Sequence, residues 1–215
     1  MRRRTRSLAS FFLSVLLLLL FSASSYAATA EAFYKEARKH KGIHPFAATC
    51  QSAHETGNWT SELWRRANNG AGIKADKKWI AAGRPTYKRT SKEHVNGKVV
   101  KRTSHFRAYR STQAFLVDYA AKIKQDYPLS AKHTDTMFGY FACLRKGRYG
   151  AWATSGKYFE HLTNKAIALG PKLLGPKWKE QLQKEYRIAQ SRKLLSKSEI
   201  AVVRKKFKEA NISLK

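Results

Sequence analysis

Residues 45–57 read Pro45-Phe46-Ala47-Ala48-Thr49-Cys50-Gln51-Ser52-Ala53-His54-Glu55-Thr56-Gly57. Pro45 suits the first turn of a helix, where its missing N–H costs nothing. The helical period then lines up Phe46, Cys50, Ala53 and Gly57 on one side. At about 100° per residue, Glu55 points about 180° away from Phe46. Its neighbours on that side are Ala48, Gln51 and Ser52, all small or neutral. With 43 Lys and Arg in the chain, a solvated face would ordinarily carry some of them. The pattern predicts instead that something approaches this face closely.

Working outward, residues 29–41 read as a preceding helix. Thr29 is its cap, Phe33, Tyr34 and Ala37 form its apolar side, and Gly42 ends it. Downstream, Asn96-Gly97 lies between two extended runs, the strongest short-range hairpin signal. A two-residue turn sets Val95 opposite Lys98, Glu93 opposite Val100 and Tyr87 opposite Phe106. Helical stripes return at Phe115, Leu116, Tyr119 and Ile123, again over 135–146, and over 156–169, where Gly170-Pro171 closes the last. Residues 171–215 hold 13 Lys and Arg against four Glu. Ser196-Lys197-Ser198-Glu199 reads as a capping box there. The tail is read as two helices packed on the domain with solvated lysines; an element for anionic surfaces is the alternative. The fold class is α+β, mainly α: a helical domain with a small β-hairpin lobe, plus basic C-terminal helices.

Arg2, Arg3, Arg4 and Arg6, the apolar run Phe11 to Phe21 and the small residues from Ser22 to Ala30 form the three parts of a secretory signal peptide. The apolar run falls short of the roughly 20 residues of a membrane span, although an uncleaved anchor is the rival reading. We expect a signal peptide over 1–27, a catalytic domain over 28–170 and a basic helical extension over 171–215. The formal charge is +29, and loss of four arginines leaves +25. Such a charge favours polyanionic partners. For an exported chain these are anionic cell-envelope polymers, and no nucleic-acid partner is expected. The expected location is the periplasm or the cell envelope, with the membrane engaged only through the signal peptide. Cys50 and Cys143 either pair or sit buried as free thiols. The seven His and two Cys show no tight ligand spacing, so neither a metal nor a cofactor is expected.

Acids are scarce, and Glu55 and Glu93 occupy uncharged settings. Glycoside hydrolysis commonly places two carboxyl groups around the scissile bond. One must hold a proton near neutral pH, which apolar surroundings favour. The other stays ionised.

His54-Glu55-Thr56-Gly57-Asn58-Trp59, after an alanine- and glutamine-containing helix, resembles the catalytic helix end of the family-73 glycoside hydrolases, the cell-wall N-acetylglucosaminidases. Asn69-Gly70-Ala71-Gly72-Ile73-Lys74-Ala75 resembles the family's Asn-Leu-Phe-Gly-Ile-Lys segment, and Trp79 and Gly83 match residues that follow it. Thr90 to Gly97 resembles its hairpin with a second Glu. Phe106-Arg107-Ala108-Tyr109-Arg110-Ser111 and then Asp118-Tyr119 match in order. The resemblance spans about residues 30–170 and rests on five motifs in sequence. It implies a lysozyme-like fold and cleavage after N-acetylglucosamine in the glycan strands of peptidoglycan. Glu55 takes the acid position and Glu93 the second-carboxylate position; help from the substrate's acetamido group is the rival for that second role.

The family's late Gly-Tyr-Ala-Thr-Asp-Pro appears here as Ala151-Trp152-Ala153-Thr154-Ser155-Gly156. Trp152 replaces a tyrosine; it can stack on a sugar but has no phenol, so a phenol-assisted step falls to Tyr149. Phe106, Tyr109, Asp118, Tyr149 and Trp152 are the candidate substrate-binding residues. Trp59 and Trp79 are further candidates for a sugar platform, and for each of these aromatics core packing is the competing reading. Two other readings remain: a non-catalytic basic wall- or lipopolysaccharide-binding module, and a muramidase or lytic transglycosylase.

Overall fold

A computed structural model describes residues 29–95 and 98–214, with the side chains of 91–99 excluded. The expected signal peptide and the Asn96-Gly97 turn lie outside the described residues. The described elements, in chain order, are α1 (Ala30–Ala37), α2 (Pro45–Glu55), α3 (Glu62–Ala67), α4 (Lys77–Ala81), β1 (Thr86–Val95), β2 (Lys98–Arg107), α5 (Thr112–Asp126), α6 (Pro128–Lys132), α7 (Met137–Cys143), α8 (Tyr158–Leu173), α9 (Trp178–Ser191) and α10 (Lys197–Glu209). The architecture is α+β and mainly helical. Among the described residues no helix is long and apolar enough to cross a membrane.

The hairpin forms in the expected register, with Val95 opposite Lys98, Glu93 opposite Val100 and Tyr87 opposite Phe106. Its base is sewn to the helical body. Lys74 bridges Phe106, Ala75 N donates to His105 O at 2.8 Å, and Arg107 N donates to Ile73 O at 2.9 Å. Buried Asn69 shapes the intervening loop: its amide donates to the Ile73 and Arg107 carbonyls, and its Oδ1 accepts from Ala71 N and Ile73 N. Thr29 caps α1 through Ala32 N.

Helix α2 is the centre of the body. Phe46 through Ala53 are all buried, so the helix is covered on every side rather than along one stripe. The small-residue face is indeed approached closely, and the visitor is the chain itself. A Cβ on Gly70 would lie 2.7 Å from Ser52 Oγ and 2.8 Å from the Phe115 ring. Only glycine admits this contact. Gly57 departs from the expected core stripe. The helix ends at Glu55, and Gly57 is exposed with φ +58°.

One further expectation is corrected. Gly170-Pro171 does not end α8, which continues to Leu173. Pro171 sits in the last turn, and a Cβ on Gly170 would meet the Trp178 ring at 2.7 Å. Glycine there serves helix packing rather than a stop. The two cysteines are free, and both are buried.

The C-terminal helices join the main core. Phe138 of α7 meets Tyr186 of α9 at 6.0 Å and Phe207 of α10 at 5.8 Å, ring centre to ring centre. Leu182, Ala189 and Val203 are buried with them. The capping box at Ser196 and Glu199 is formed.

Candidate active site

Glu55 is the last helical residue of α2. The chain then turns sharply through Gly57, Asn58 and Trp59, all with positive φ. For two non-glycine residues that is costly backbone, of order 1–3 kcal/mol each. Side chains hold it. Thr56 Oγ1 donates to Ser52 O at 2.6 Å and accepts from Trp59 N at 2.8 Å. The buried Trp59 ring donates through Nε1 to Ser52 Oγ at 3.0 Å. Lys165 of α8 donates to Asn58 Oδ1 at 2.8 Å. The carboxylate is thereby carried on a fixed corner.

Two donors converge on one oxygen of that carboxylate. Tyr158 OH reaches Glu55 Oε1 at 2.7 Å, and Trp152 Nε1 reaches it at 3.1 Å. Oε2 has no hydrogen-bond partner among the described residues. When the carboxyl is protonated, its proton belongs on Oε2, because Oε1 already accepts twice. Burial pushes the Glu55 carboxyl above the ordinary glutamate value; the hydrogen bonds from Tyr158 and Trp152 offset part of that. A general acid needs this combination of fixed orientation and elevated pKa.

A buried polar chain stands behind the acid. Gln51 Nε2 donates to Tyr158 Oη at 2.9 Å, Tyr119 OH donates to Gln51 Oε1, and the Tyr119 and Tyr140 hydroxyls lie 2.8 Å apart. Burial, and after it the Glu55 charge, pushes the Tyr158 phenol well above its usual range, so it remains a donor. His54 packs against Tyr158, and burial pushes its pKa down, which keeps the ring neutral near the acid.

The residues singled out from sequence fall into two groups. Glu55 and Trp152 are in direct contact. The Trp152 ring also lies 5.1 Å from Tyr127 and 5.9 Å from Tyr119, so it is wedged as well as bonded. Tyr109 and Asp118 form a second group. Arg107 Nη1 reaches both Asp118 oxygens, Arg107 Nη2 reaches Asp76, and Tyr109 OH donates to Asp118 at 2.7 Å. Tyr109 is buried and edge-on to Trp79, itself a core residue. Phe106 is half-buried at the hairpin base. Asp118, Arg107 and the exposed Tyr149 line a cleft of about 550 Å³. Glu55 does not line that cleft. Glu93 sits on β1, and its side chain lies outside the described residues.

The phenol beside the acid is Tyr158 rather than Tyr149. Its sequence signal was helical spacing, since Tyr158, Leu162 and Ala166 recur at four-residue intervals on α8. Tyr158→Phe removes a donor to the charged form of Glu55, and so raises the Glu55 pKa further. The basic limb of the pH profile of kcat/KM is expected to move to higher pH. An unmoved limb, or one shifted downward, would show that the bond does not tune the acid.

No curated protein matches the chain. Among solved structures, the chain is similar to the C-terminally truncated glycoside hydrolase domain of FlgJ from Salmonella typhimurium. The identity is 26%, covering 65% of this chain and 91% of that one, with a TM-score of 0.50. It shares its fold with the catalytic domain of the autolysin Auto from Listeria monocytogenes. There the identity is 20%, covering 77% of this chain and 96% of that one, with a TM-score of 0.53. The family model described as mannosyl-glycoprotein endo-beta-N-acetylglucosaminidase matches residues 31–189. A match over most of the chain, together with a lysozyme-like helical body, places this protein in the glucosaminidase family of glycoside hydrolases.

Proposed function

We propose that this protein is an exported peptidoglycan hydrolase that cleaves the bond after N-acetylglucosamine, with Glu55 as general acid. The observation that carries the reading is the Glu55 carboxyl. It is elevated in pKa by burial, pinned through Oε1 by Tyr158 and Trp152, and open at Oε2 to a leaving oxygen. The two structural relatives, a glycoside hydrolase domain and an autolysin catalytic domain, favour a wall glycan as substrate. Protonated Oε2 gives its proton to the glycosidic oxygen as positive charge builds on the sugar. Glu93, on the hairpin that hangs from the 69–75 loop, supplies the second carboxylate. The site belongs outside the cytoplasm, where peptidoglycan is.

The net charge of +29 supports a second reading, a binding module for anionic envelope polymers without chemistry. Incubation with purified peptidoglycan separates the two. Release of soluble glycan fragments is the outcome expected for the hydrolase. Tight, salt-sensitive binding with no release would leave only the module.

A further inference from the structure

The cleft lined by Asp118 and Tyr149 has a charge imbalance that the hydrolytic site does not use. Its carboxylates are already engaged. Asp118 accepts from Arg107 and Tyr109. Asp76 accepts from Arg107 and caps α4 through Trp79 N. Asp126 accepts from Lys122 at 2.7 Å. Lys74, Lys77 and Lys78 also line the cleft, all three are exposed, and no carboxylate among the described residues pairs with them. Five cations (Lys74, Lys77, Lys78, Arg107 and Lys122) therefore face three carboxylates around a concavity of about 550 Å³, a formal excess of two positive charges, and the three lysines are the cations without an ion-pair partner among the described residues.

The cleft and Glu55 are connected through one loop. Tyr149 and Trp152 belong to one loop, and Trp152 bonds Glu55. That loop is fixed to the end of α5. Arg148 N donates to Asp126 O at 2.7 Å, and Gly147 packs so tightly that a Cβ would meet the Tyr127 ring at 2.4 Å. Trp152 N donates back to Leu144 O at 2.9 Å. The anionic groups that peptidoglycan bears on its strands are the carboxylates of its stem peptides.

We propose that Lys74, Lys77 and Lys78 form a carboxylate-binding subsite for the stem peptide of the glycan under cleavage. This rests on the reading of Glu55 given above. It makes the peptide-bearing strand, rather than bare glycan, the favoured substrate. Ammonium–carboxylate bonds across a partly enclosed cleft supply the affinity, and Tyr149 supplies an exposed aromatic face for the peptide backbone.

The test uses a soluble stem tetrapeptide with free carboxylates and the same peptide fully amidated, titrated into the wild type and into Lys74→Gln/Lys77→Gln/Lys78→Gln. The three side chains are exposed, so the variant is expected to keep the wild-type Tm. The wild type is expected to bind the free acid about tenfold tighter, and the variant less than about threefold tighter. Equal binding of the two peptides by the wild type would overturn the proposal, as would undiminished discrimination by the variant. Displacement of the peptide by equimolar inorganic phosphate would also overturn it, by marking a phosphate site. Release of glycan from peptidoglycan is read in parallel. Cleavage without peptide discrimination removes the subsite and leaves the acid; discrimination without cleavage keeps the subsite and removes the acid.

Discussion

Glu55→Gln is expected to lower the rate of glycan release by about 10²–10⁴-fold, the range of a lost general acid, with Tm equal to or slightly above that of the wild type. The glutamine carbonyl can still accept from Tyr158 and Trp152, as Oε1 does now. The amide has no proton to give at Oε2, so only the chemistry is removed. The stability sign follows from linkage. Burial raises the Glu55 pKa in the fold. The folded state therefore holds this proton more tightly than the unfolded chain does. Stability falls as pH rises from the ordinary glutamate value through the folded pKa. Glutamine does not titrate, so the variant escapes that loss at neutral pH. Retention of full activity would remove Glu55 from the acid role. A large fall in Tm would mean that its role is structural.

Glu185→Ala is expected to cost about 3 kcal/mol of stability at neutral pH. Glu185 is a buried α9 residue that ties together two helix starts. His44 Nδ1 accepts from Ala47 N at 3.2 Å and so caps α2. The ring proton is left on Nε2, which meets Glu185 Oε2 at 3.1 Å. Met137 N, the first residue of α7, donates to the same oxygen at 2.7 Å, and Gln181 donates to Oε1 at 3.2 Å. Alanine leaves these donors unpaired in the interior. Burial pushes the Glu185 pKa up, but the hydrogen bonds from His44, Met137 and Gln181 hold it below the ordinary glutamate value. Its contribution is present above the unfolded pKa and is lost as pH falls through the folded one. Denaturant unfolding across an acid pH series checks both parts. Wild-type stability is expected to fall in acid, and the variant is expected to show a flatter profile from a lower plateau. A difference of under about 0.5 kcal/mol at neutral pH would place the bonds among surface-like contacts.

Local patterns made much of this legible. The Asn-Gly turn signal and strand alternation gave the hairpin register residue by residue, because a period of two admits no intermediate slip. The stripe at Phe115, Leu116, Tyr119 and Ile123 is the buried side of α5. Leu182 and Tyr186, and Val203 and Phe207, are i, i+4 pairs that dock the basic tail as two packed helices. What stayed hidden depends on distance in sequence. Tyr158 meets Glu55 across 103 positions, and Glu185 meets His44 across 141. No periodicity encodes such pairings. Trp152 reads as a sugar platform that lacks a phenol hydroxyl, yet its N–H bonds Glu55. Asp118 reads as a substrate-binding residue from sequence, and in the fold its partners are Arg107 and Tyr109. The Gly170-Pro171 stop failed: α8 runs on to Leu173 although Pro171 gives up one helical hydrogen bond, and the neighbouring glycine is required for Trp178.

Glu55 is the proposed acid of a glucosaminidase acting on wall glycan. Digestion of purified peptidoglycan followed by identification of the new reducing ends tests it most directly. N-acetylglucosamine ends, absent with Glu55→Gln, are the predicted result. N-acetylmuramic acid ends would contradict it by indicating a muramidase, and anhydro-muramic ends by indicating a lytic transglycosylase.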